Sequence, residues 1–394
     1  MKMLVFVCYL FAVWTGNQPD PVMPAGMSDA ILSIERKFAP DKRTTIFKIS
    51  PHYYQGKWVI NGELNDPKAK AALFLALKNY SVLDSIDLLP SRSLRRKTYG
   101  VITIPVANMR SGTGHNSELS NQALCGTVVR LYKSNNGWYY CQTPDEYLGW
   151  IDEEAIQTMD SSELNMWQKK HKVIITSDQS YVIQSPMSGS NIVSPVSVGA
   201  ILASDTEVKG FYPVYFPDGR KGFVPASNGM DLTAWKKQQL QTISAETIIK
   251  SAYDFIGRPY LWGGTSGNGM DCSGFTKMVF FQHGLLLPRD ASQQVKVGLP
   301  LEADTTLKNL LPGDFLFFGR KAAGSLPEKV THVAIYAGNG KIIHATGYIR
   351  EQSLKRGDPS FVEHRMHTYL HATRPLAAPK EHGIFALSDL KYYD

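Results

Sequence analysis

The sequence predicts an α+β multidomain fold, in which a small N-terminal α+β unit and two small β-barrels precede a C-terminal α+β domain. The chain has 394 residues, enough for two to four domains at roughly 150 residues each. Its composition, with 43% hydrophobic and 20% charged residues, is that of folded globular proteins. Helical spacing, then short β-rich runs, then a motif-rich segment follow one another along the chain.

The first residues predict export. Lys2 precedes an uncharged run from Met3 to Trp14, which is shorter than the ~20 apolar residues that span a bilayer. Such a run after a basic start is typical of a secretory signal, which we assign to residues 1–16. Cys8 lies inside the run rather than at its end, so we do not expect a lipoprotein. The mature chain is expected to be periplasmic or secreted, without a transmembrane segment.

Residues 17–98 are predicted to form the small α+β unit. Helical apolar spacing covers residues 28–38, with Ser28 as the N-cap, and Pro67–Leu77. Strands are predicted at 44–49, 57–60 and 81–88, which gives the order αββαβ. This segment contains no catalytic constellation, and we expect a spacer or assembly role.

Residues 99–158 and 172–231 alternate short β-rich runs with turns, as expected for barrels of five or six strands. In the first segment, Gly100–Val106 and Leu124–Tyr132 read as single strands, and Asn136-Gly137 indicates a hairpin turn. Both segments end on a glycine–aromatic pair and resemble bacterial SH3-like domains. Residues 159–171 between them are predicted to form a helical linker.

The last domain, residues 232–394, places a cysteine at the start of a predicted helix. Asp271 is a suitable N-cap for this helix and Gly284 a suitable end. Cys272 directly follows the cap, where unpaired N–H groups and the helix dipole favour a thiolate. We therefore expect a nucleophile. The structural alternative is a buried cysteine that merely begins a core helix.

The next predicted hairpin carries one histidine on each strand, His332 on the first and His344 on the second. A two-residue turn would place His344 opposite Ile335, on the face away from His332. A three-residue loop would place it opposite Ala334, on the same face as His332 and ~7–8 Å away between backbones. In that register His332 can accept the proton of Cys272, and His344 can orient His332. Two unrelated strand histidines are the alternative.

The motifs Asp-Cys-Ser-Gly-Phe, His-Val-Ala-Ile-Tyr and Ile-His-Ala-Thr, within residues 244–376, resemble the NlpC-type cell-wall cysteine peptidases. The resemblance implies a papain-like α+β domain, with Cys272 as the nucleophile, His332 as the base and His344 as the third polar residue. Tyr260, in Arg-Pro-Tyr-Leu-Trp-Gly-Gly, matches a family tyrosine near the oxyanion site. The implied mechanism needs neither a metal nor an organic cofactor.

Two SH3-like domains before such a domain resemble the γ-D-glutamyl-L-diamino-acid endopeptidases, also called dipeptidyl-peptidase VI-like enzymes. These cleave after L-Ala-γ-D-Glu in peptidoglycan stem peptides (muropeptides) that have a free N-terminal L-Ala. The resemblance implies that Asp290, Glu118 and Tyr147 bind the L-Ala ammonium. It also makes Asp271 and Ser273 candidates for holding the α-carboxylate region of D-Glu.

Each substrate-binding assignment has a structural alternative. Asp290 and Gln293 have the spacing of a capping box, which would start a helix. Glu118 would be a solvated loop charge, and Tyr147 would pack in the barrel. For the whole protein, the alternatives are a non-catalytic cell-wall-binding protein and an acyl transferase.

The remaining polar and sulfur-containing residues suggest no second function. The net charge of +7 is spread along the chain, so we expect no nucleic-acid partner. His364, His367 and His371, in a predicted strand over 365–372, lack acidic or cysteine partners and are interpreted as surface residues rather than metal ligands. Cys125 and Cys141 either pair or remain buried thiols. The tail from Pro379 is expected to dock loosely, and the sequence does not indicate an oligomeric state.

Overall fold

The computed structural model describes residues 21–377 and 379–393. The predicted signal, residues 1–16 with Cys8, lies outside the described residues. The chain divides into two compact units, one comprising the residues up to 42 with 46–88, the other comprising 43–45 and the residues from 89 onward. Within the part of the chain that the structure describes, no helix is long and apolar enough to cross a membrane.

The first unit has the predicted αββαβ order. In its three-stranded sheet the first two strands are antiparallel, and the second and third are parallel. The first helix begins earlier than predicted, because Pro24 rather than Ser28 is the N-cap residue. The elements are α1 (Ala25–Phe38), β1 (Phe47–Tyr54), β2 (Lys57–Leu64), α2 (Pro67–Ala76) and β3 (Val82–Leu88).

The first β-rich segment has seven strands rather than five or six. The run predicted as Gly100–Val106 is divided by a break before Val106. The run predicted as Leu124–Tyr132 is divided at Gly126, whose φ of 82° suits a turn. Asn136-Gly137 forms the predicted hairpin turn, with positive φ at both residues. The strands are β4 (Tyr99–Ile102), β5 (Val106–Arg110), β6 (Leu119–Leu124), β7 (Val128–Asn135), β8 (Trp138–Gln142), β9 (Leu148–Asp152) and β10 (Ile156–Met159).

A helix separates this segment from a second seven-stranded sheet, as the predicted linker requires. Asp160 caps the helix by accepting the backbone N–H of Ser162 and Glu163. The elements are α3 (Ser161–Gln168), β11 (Lys172–Ile175), β12 (Gln179–Ile183), β13 (Ile192–Ser197), β14 (Ile201–Ser204), β15 (Phe211–Tyr215), β16 (Lys221–Pro225) and β17 (Gly229–Asp231).

The C-terminal domain contains a six-stranded antiparallel sheet and a fully buried helix, α6. The aromatic residues Phe275, Phe280, Phe315 and Phe317 contribute to one core between them. The elements are α4 (Leu232–Thr242), α5 (Ala245–Tyr253), β18 (Thr265–Ser266), β19 (Gly269–Met270), α6 (Cys272–Phe281), β20 (Leu285–Leu286), α7 (Ala291–Gln294), β21 (Leu299–Leu301), β22 (Phe315–Arg320), β23 (Lys329–Gly338), β24 (Lys341–Thr346), β25 (Tyr348–Ser353), α8 (Glu363–His367), β26 (Tyr369–Arg374) and β27 (Phe385–Ala386).

The first barrel segment is joined to the C-terminal domain by buried polar contacts. Lys277 of α6 donates to Asp145 at 2.5 Å, and both side chains are at most 10% exposed. Gln122 and Thr265 exchange backbone and side-chain hydrogen bonds at 3.0–3.2 Å. Breaking a buried ion pair leaves an uncompensated charge, so these contacts hold the barrel against the helix that carries Cys272.

Two predictions about the C-terminal end are wrong. His364 and His367 lie on the short helix α8 rather than on a strand, and only His371 lies on β26, where it pairs with Glu328. The tail is docked firmly rather than loosely, because Ile384 and the later residue Leu387 are at most 1% exposed. The tail strand β27 pairs with β20.

Cys125 and Cys141 do not pair. Both are buried free thiols, in the cores of the second and the first barrel segment respectively. Burial raises the pKa of Cys125 to about 12 and also raises the pKa of Cys141. Both therefore behave as small apolar core residues.

Candidate active site

Cys272 is the first residue of helix α6, at the floor of a cleft. Asp271 caps the helix by accepting the backbone N–H of Gly274 at 2.7 Å. Position 274 requires glycine, because a Cβ there would lie 2.0 Å from the carbonyl oxygen of Gly264. The backbone N–H of Val333 lies near the sulfur of Cys272 and favours the anionic form of the thiol, which lowers its pKa. Since Val333 follows His332 on β23, the histidine-bearing strand lies beside the thiol.

The two histidines share a face, although the turn between their strands is the two-residue turn that was predicted to separate them. Gly338 pairs with Lys341, so the turn is the two-residue Asn339-Gly340, with φ values of 55° and 79°. A β-bulge between Tyr336 and Gly338 then shifts the register by one residue, and Ile335 opposes Ile343. His344 consequently occupies the register expected for the three-residue loop.

The histidines form a hydrogen-bonded chain that ends on Gln352. Nε2 of His332 lies 2.8 Å from Nδ1 of His344, and Nε2 of His344 lies 2.8 Å from Oε1 of Gln352. The amide oxygen can only accept, so Nε2 of His344 carries a proton and its Nδ1 accepts from His332. In neutral His332 the proton is therefore on Nε2, which leaves Nδ1 as the base.

Burial keeps the reacting groups uncharged. It lowers the pKa of His332 well below its usual value and lowers the pKa of His344 to about 4. Burial, with a smaller contribution from the Asp271 charge, raises the pKa of Cys272 to about 11. The expected stabilisation of a thiolate is therefore wrong for the substrate-free enzyme. Backbone N–H groups do favour the anion, but loss of hydration outweighs them.

Asp271 forms a buried ion pair with Arg289. Arg289 donates to both of its carboxylate oxygens, at 3.0 and 2.6 Å, and to Oγ of Ser273 at 3.1 Å. The Arg289 side chain is 1% exposed. Burial opposes its charge, but the pairing with Asp271 more than offsets this and raises the pKa of Arg289. Asp271 thus orients Arg289 and caps α6, while Ser273 and Arg289 both line the cleft.

Tyr260 lies half-buried in the same cleft as Cys272. Burial and the neighbouring Cys272 raise the pKa of the Tyr260 phenol, so it stays a hydrogen-bond donor. Its backbone N–H donates to Gly347 at 2.9 Å, which fixes the loop that carries it. A held phenol beside the thiol is suited to stabilise developing negative charge.

The cleft also holds the residues expected to bind an ammonium, and we call the part that they line the amino end. The phenol of Tyr147 donates to Oδ2 of Asp290 at 3.2 Å. Glu118 is exposed, and its Oε1 accepts from the indole N–H of Trp262 at 2.7 Å. All four residues line one cleft of about 380 Å³ with Cys272. Asp290 also has the helix-starting role weighed above, since its N–H donates to Gln293 Oε1 at 3.1 Å.

A larger cavity does not compete as the reactive site. It measures about 650 Å³ and its lining is mostly apolar, including Leu240, Leu311 and Leu376. Its two charged residues, Asp314 and Arg374, neutralise one another at 2.9 Å. Among the described residues, no cluster of His, Cys, Asp or Glu is arranged to hold a metal ion.

Four residues in or behind the cleft were missed by the sequence reasoning. Gln352 was findable, because extending the hairpin by one antiparallel strand places it near His344. Arg289 directly precedes Asp290 in the sequence, but nothing in the sequence shows its burial. Arg43 reaches the cleft from a distant part of the chain, and no local pattern marks it. Trp262 lies two residues after Tyr260 in the motif quoted for that tyrosine, where no role was predicted for it.

Comparison with known proteins gives two matches within the chain. Residues 257–371 match the NlpC/P60 family, and residues 109–156 match the bacterial dipeptidyl-peptidase SH3 domain. The predicted α+β multidomain fold, with an SH3-like region before an NlpC-type domain, is thereby confirmed.

Individual proteins are similar over most of their own length. The gamma-D-glutamyl-L-lysine dipeptidyl-peptidase of Bacillus cereus is 30% identical over 260 residues, covering 63% of this chain and 73% of that protein. The protein of the same name from Bacillus subtilis is 28% identical over 60% of this chain and 75% of its own. A crystal structure of an NlpC/P60 family protein from Bacillus cereus, 22% identical, covers 70% of this chain and 99% of its own with a TM-score of 0.58. The last similarity shows a common fold.

Proposed function

The chain belongs to the NlpC/P60 family, and from that premise we propose that it is an exported cysteine endopeptidase of peptidoglycan stem peptides. It hydrolyses the γ-D-glutamyl–diamino-acid bond of stems whose N-terminal L-Ala is free. One observation carries the proposal. A single cleft holds the thiol of Cys272 at one place and the Asp290–Tyr147 pair with Glu118 at another.

Acylation begins from a neutral thiol and a neutral imidazole. Nδ1 of His332 takes the proton of Cys272 as the sulfur attacks the γ-carbonyl carbon of D-Glu. The His344–Gln352 hydrogen bonds hold the His332 ring and disperse the charge that it gains. When the tetrahedral intermediate collapses, the proton passes to the leaving amine of the diamino acid. The product on the enzyme is a thioester.

The oxyanion that forms during attack needs donors aimed at it. We assign this role to the phenol of Tyr260 and the backbone N–H of Cys272. Water, deprotonated by His332, then attacks the thioester carbonyl and releases L-Ala-D-Glu with the free thiol. The same two donors serve both steps, because each passes through a tetrahedral oxyanion.

The charges in the cleft match the groups of such a substrate. Glu118, Asp290 and the Tyr147 phenol are partners for the L-Ala ammonium, because a desolvated cation needs anionic acceptors. Arg289 and Ser273 are donors suited to the α-carboxylate of D-Glu, whereas the oxygens of Asp271 accept and cannot serve it. The names of the Bacillus relatives, which specify a γ-D-glutamyl-L-lysine bond, support the same bond type.

The test uses L-Ala-γ-D-Glu-diamino-acid peptides, with L-Lys or meso-diaminopimelate, each with a free or an acetylated amine. Purified protein is incubated with each peptide, and products are identified by mass spectrometry. We expect L-Ala-D-Glu to be released from a free-amine peptide, and Cys272→Ala to release none. Cleavage at another bond would overturn the assignment. Peptide binding without cleavage would favour the non-catalytic wall-binding protein.

A further inference from the structure

A cation of the protein itself already occupies the amino end of the cleft. Nη1 of Arg43 donates to Oδ2 of Asp290 at 2.7 Å and to Oγ of Ser292 at 2.8 Å. This is the same carboxylate oxygen that accepts from Tyr147. The guanidinium therefore lies on the oxygen that the proposed function assigns to the substrate's ammonium.

The segment that carries Arg43 is fixed in place by its backbone. The N–H of Leu148 donates to the carbonyl oxygen of Arg43 at 2.8 Å. Nε2 of Gln142 donates to the carbonyl oxygen of Thr44 at 2.7 Å, while the phenol of Tyr132 holds the same amide at 2.8 Å. Residues 43–45 thus extend the first barrel segment, within the second unit of the chain. These hydrogen bonds therefore hold Arg43 where its side chain contacts Asp290.

The ion pair between Arg43 and Asp290 is weak enough for a substrate ammonium to displace the guanidinium. The two side chains are 35% and 28% exposed, and ion pairs of this exposure contribute modestly to stability. An incoming ammonium competes with the guanidinium for the same oxygen. When the substrate has no charged amine, Arg43 stays paired with Asp290. Binding of that substrate therefore leaves no carboxylate unpaired.

We propose that Arg43 is a specificity-determining residue that lowers the preference of the cleft for a free amino terminus. The inference rests on the proposed function, which supplies the ammonium as a ligand. Arg43 weakens binding of the free amine by competition and favours the N-acylated stem by neutralising Asp290. Substrate choice at this end is then set by a residue outside both the barrel strands and the peptidase domain.

The experiment compares wild type with Arg43→Ala and Arg43→Gln, using the free-amine and N-acetylated peptides. For each protein, the kcat/KM for the free-amine peptide is divided by the kcat/KM for the N-acetylated peptide. We expect both variants to raise this ratio about fivefold, since a partly exposed ion pair is worth about 1 kcal/mol. The increase comes from a lower KM for the free amine. Ser292→Ala, which removes one acceptor of Arg43, is expected to shift the ratio less in the same direction. Arg92→Ala, at an exposed arginine, controls for the loss of one charge.

Two results would overturn the inference. One is an unchanged or lower ratio in both variants. The other is gained cleavage of the acetylated peptide in Arg43→Ala but not in Arg43→Gln, because that would identify Arg43 as a steric wall. The neutral glutamine keeps much of the bulk, and so separates charge from size.

A binding measurement distinguishes failure of this inference from failure of the proposed function. L-Ala-γ-D-Glu and its N-acetyl form are titrated into each protein by calorimetry. If wild type cleaves neither peptide but Arg43→Gln binds the free-amine dipeptide more tightly, the function fails and the inference stands. If cleavage occurs but the ratio of the two Kd values does not move, or if no dipeptide binds, the inference fails.

Discussion

The two ends of the cleft are built differently. At the reactive end, Cys272, His332 and His344 are 7%, 6% and 0% exposed, and all three come from one domain. Their hydrogen bonds join uncharged groups. At the amino end, Arg43 and Asp290 keep a quarter or more of their side chains exposed, and carry opposite charges. That end is assembled from three stretches of chain that lie far apart in sequence.

The contrast separates chemistry from recognition. Buried, mutually hydrogen-bonded groups hold one geometry, as proton transfer between thiol and imidazole requires. Half-exposed charges interact weakly and exchange partners at little cost. The reactive end is therefore expected to tolerate no change, whereas the amino end can be tuned by single substitutions.

The largest expected effect is loss of the thiol. Cys272→Ala should lower kcat/KM by at least about 10³-fold, because the covalent route is removed. The thermal midpoint should change little, since one sulfur atom is lost. Cys141→Ala is the matched control, a buried thiol in the first barrel core, and should keep turnover. Equal loss in both variants would show that stability, not nucleophilicity, limits activity.

The next largest effect separates the two arginines. Arg289→Met should destabilise the protein by about 3–5 kcal/mol in chemical denaturation, because Asp271 is left buried and unpaired. Arg43→Gln should cost about 1 kcal/mol or less, because its pair is partly exposed. Similar losses for the two variants would remove the energetic distinction between the ends of the cleft.

Gln352 should affect rate more than binding. Gln352→Leu removes the acceptor of His344, and kcat should fall about tenfold, the value of one buried hydrogen bond. KM should change less. Gln352→Glu keeps an acceptor and adds a negative charge, so the acid limb of its pH profile should move to higher pH. A change in KM alone would place Gln352 in substrate binding.

The pH profile should show the burial of the histidines. The base must be neutral, and burial lowers the pKa of His332 below its usual 6.5. The acid limb of kcat/KM should therefore lie below pH 6.5, and activity should fall only as pH drops through the lowered pKa. Stability should depend on pH in the same direction as activity, because the histidines of the unfolded chain take up protons at a higher pH than those of the folded chain. The stability that the neutral histidines contribute should be fully present above pH 6.5 and decline toward pH 4, where His344 also titrates.

An acid limb at or above pH 6.5, measured with the free-amine peptide in a constant-ionic-strength buffer, would contradict this assignment. It would mean that the histidines are hydrated or paired with an anion during turnover. Thermal midpoints measured over the same pH range provide the control for unfolding.

The smallest effect is expected at the amino end. Tyr147→Phe removes one hydrogen bond to the Asp290 carboxylate, an acceptor that also pairs with Arg43, and KM for the free-amine peptide should rise about two- to threefold. The acetylated peptide should respond less, since it brings no ammonium. Tyr147 also packs in the first barrel core, and an equal rise for both peptides, measured by initial rates, would show that it acts through that packing alone.

Much of the reactive end was predictable because its signals are local. A capping aspartate, a cysteine at the first helical position and a glycine at the helix end lie within fourteen residues of one another. The sequence predicted a register in which the two histidines share a face, but not the turn and bulge that produce it. The two-residue turn at Asn339-Gly340 alone would have separated the histidines, and the bulge beside Tyr336 restores the shared face. A bulge depends on packing of the whole sheet, which local patterns do not describe.

The sequence by itself determined the αββαβ order of the first unit, the helix that begins at Cys272 and the hairpin turn at Asn136-Gly137. Those features depend on backbone propensity and on neighbours within a few positions. Only the tertiary structure decided the protonation of the reacting groups, the Arg289–Asp271 pair and the presence of Arg43 on Asp290. Burial and long-range pairing fix these, since the pKa of a thiol and the partner of a carboxylate depend on what surrounds them in space.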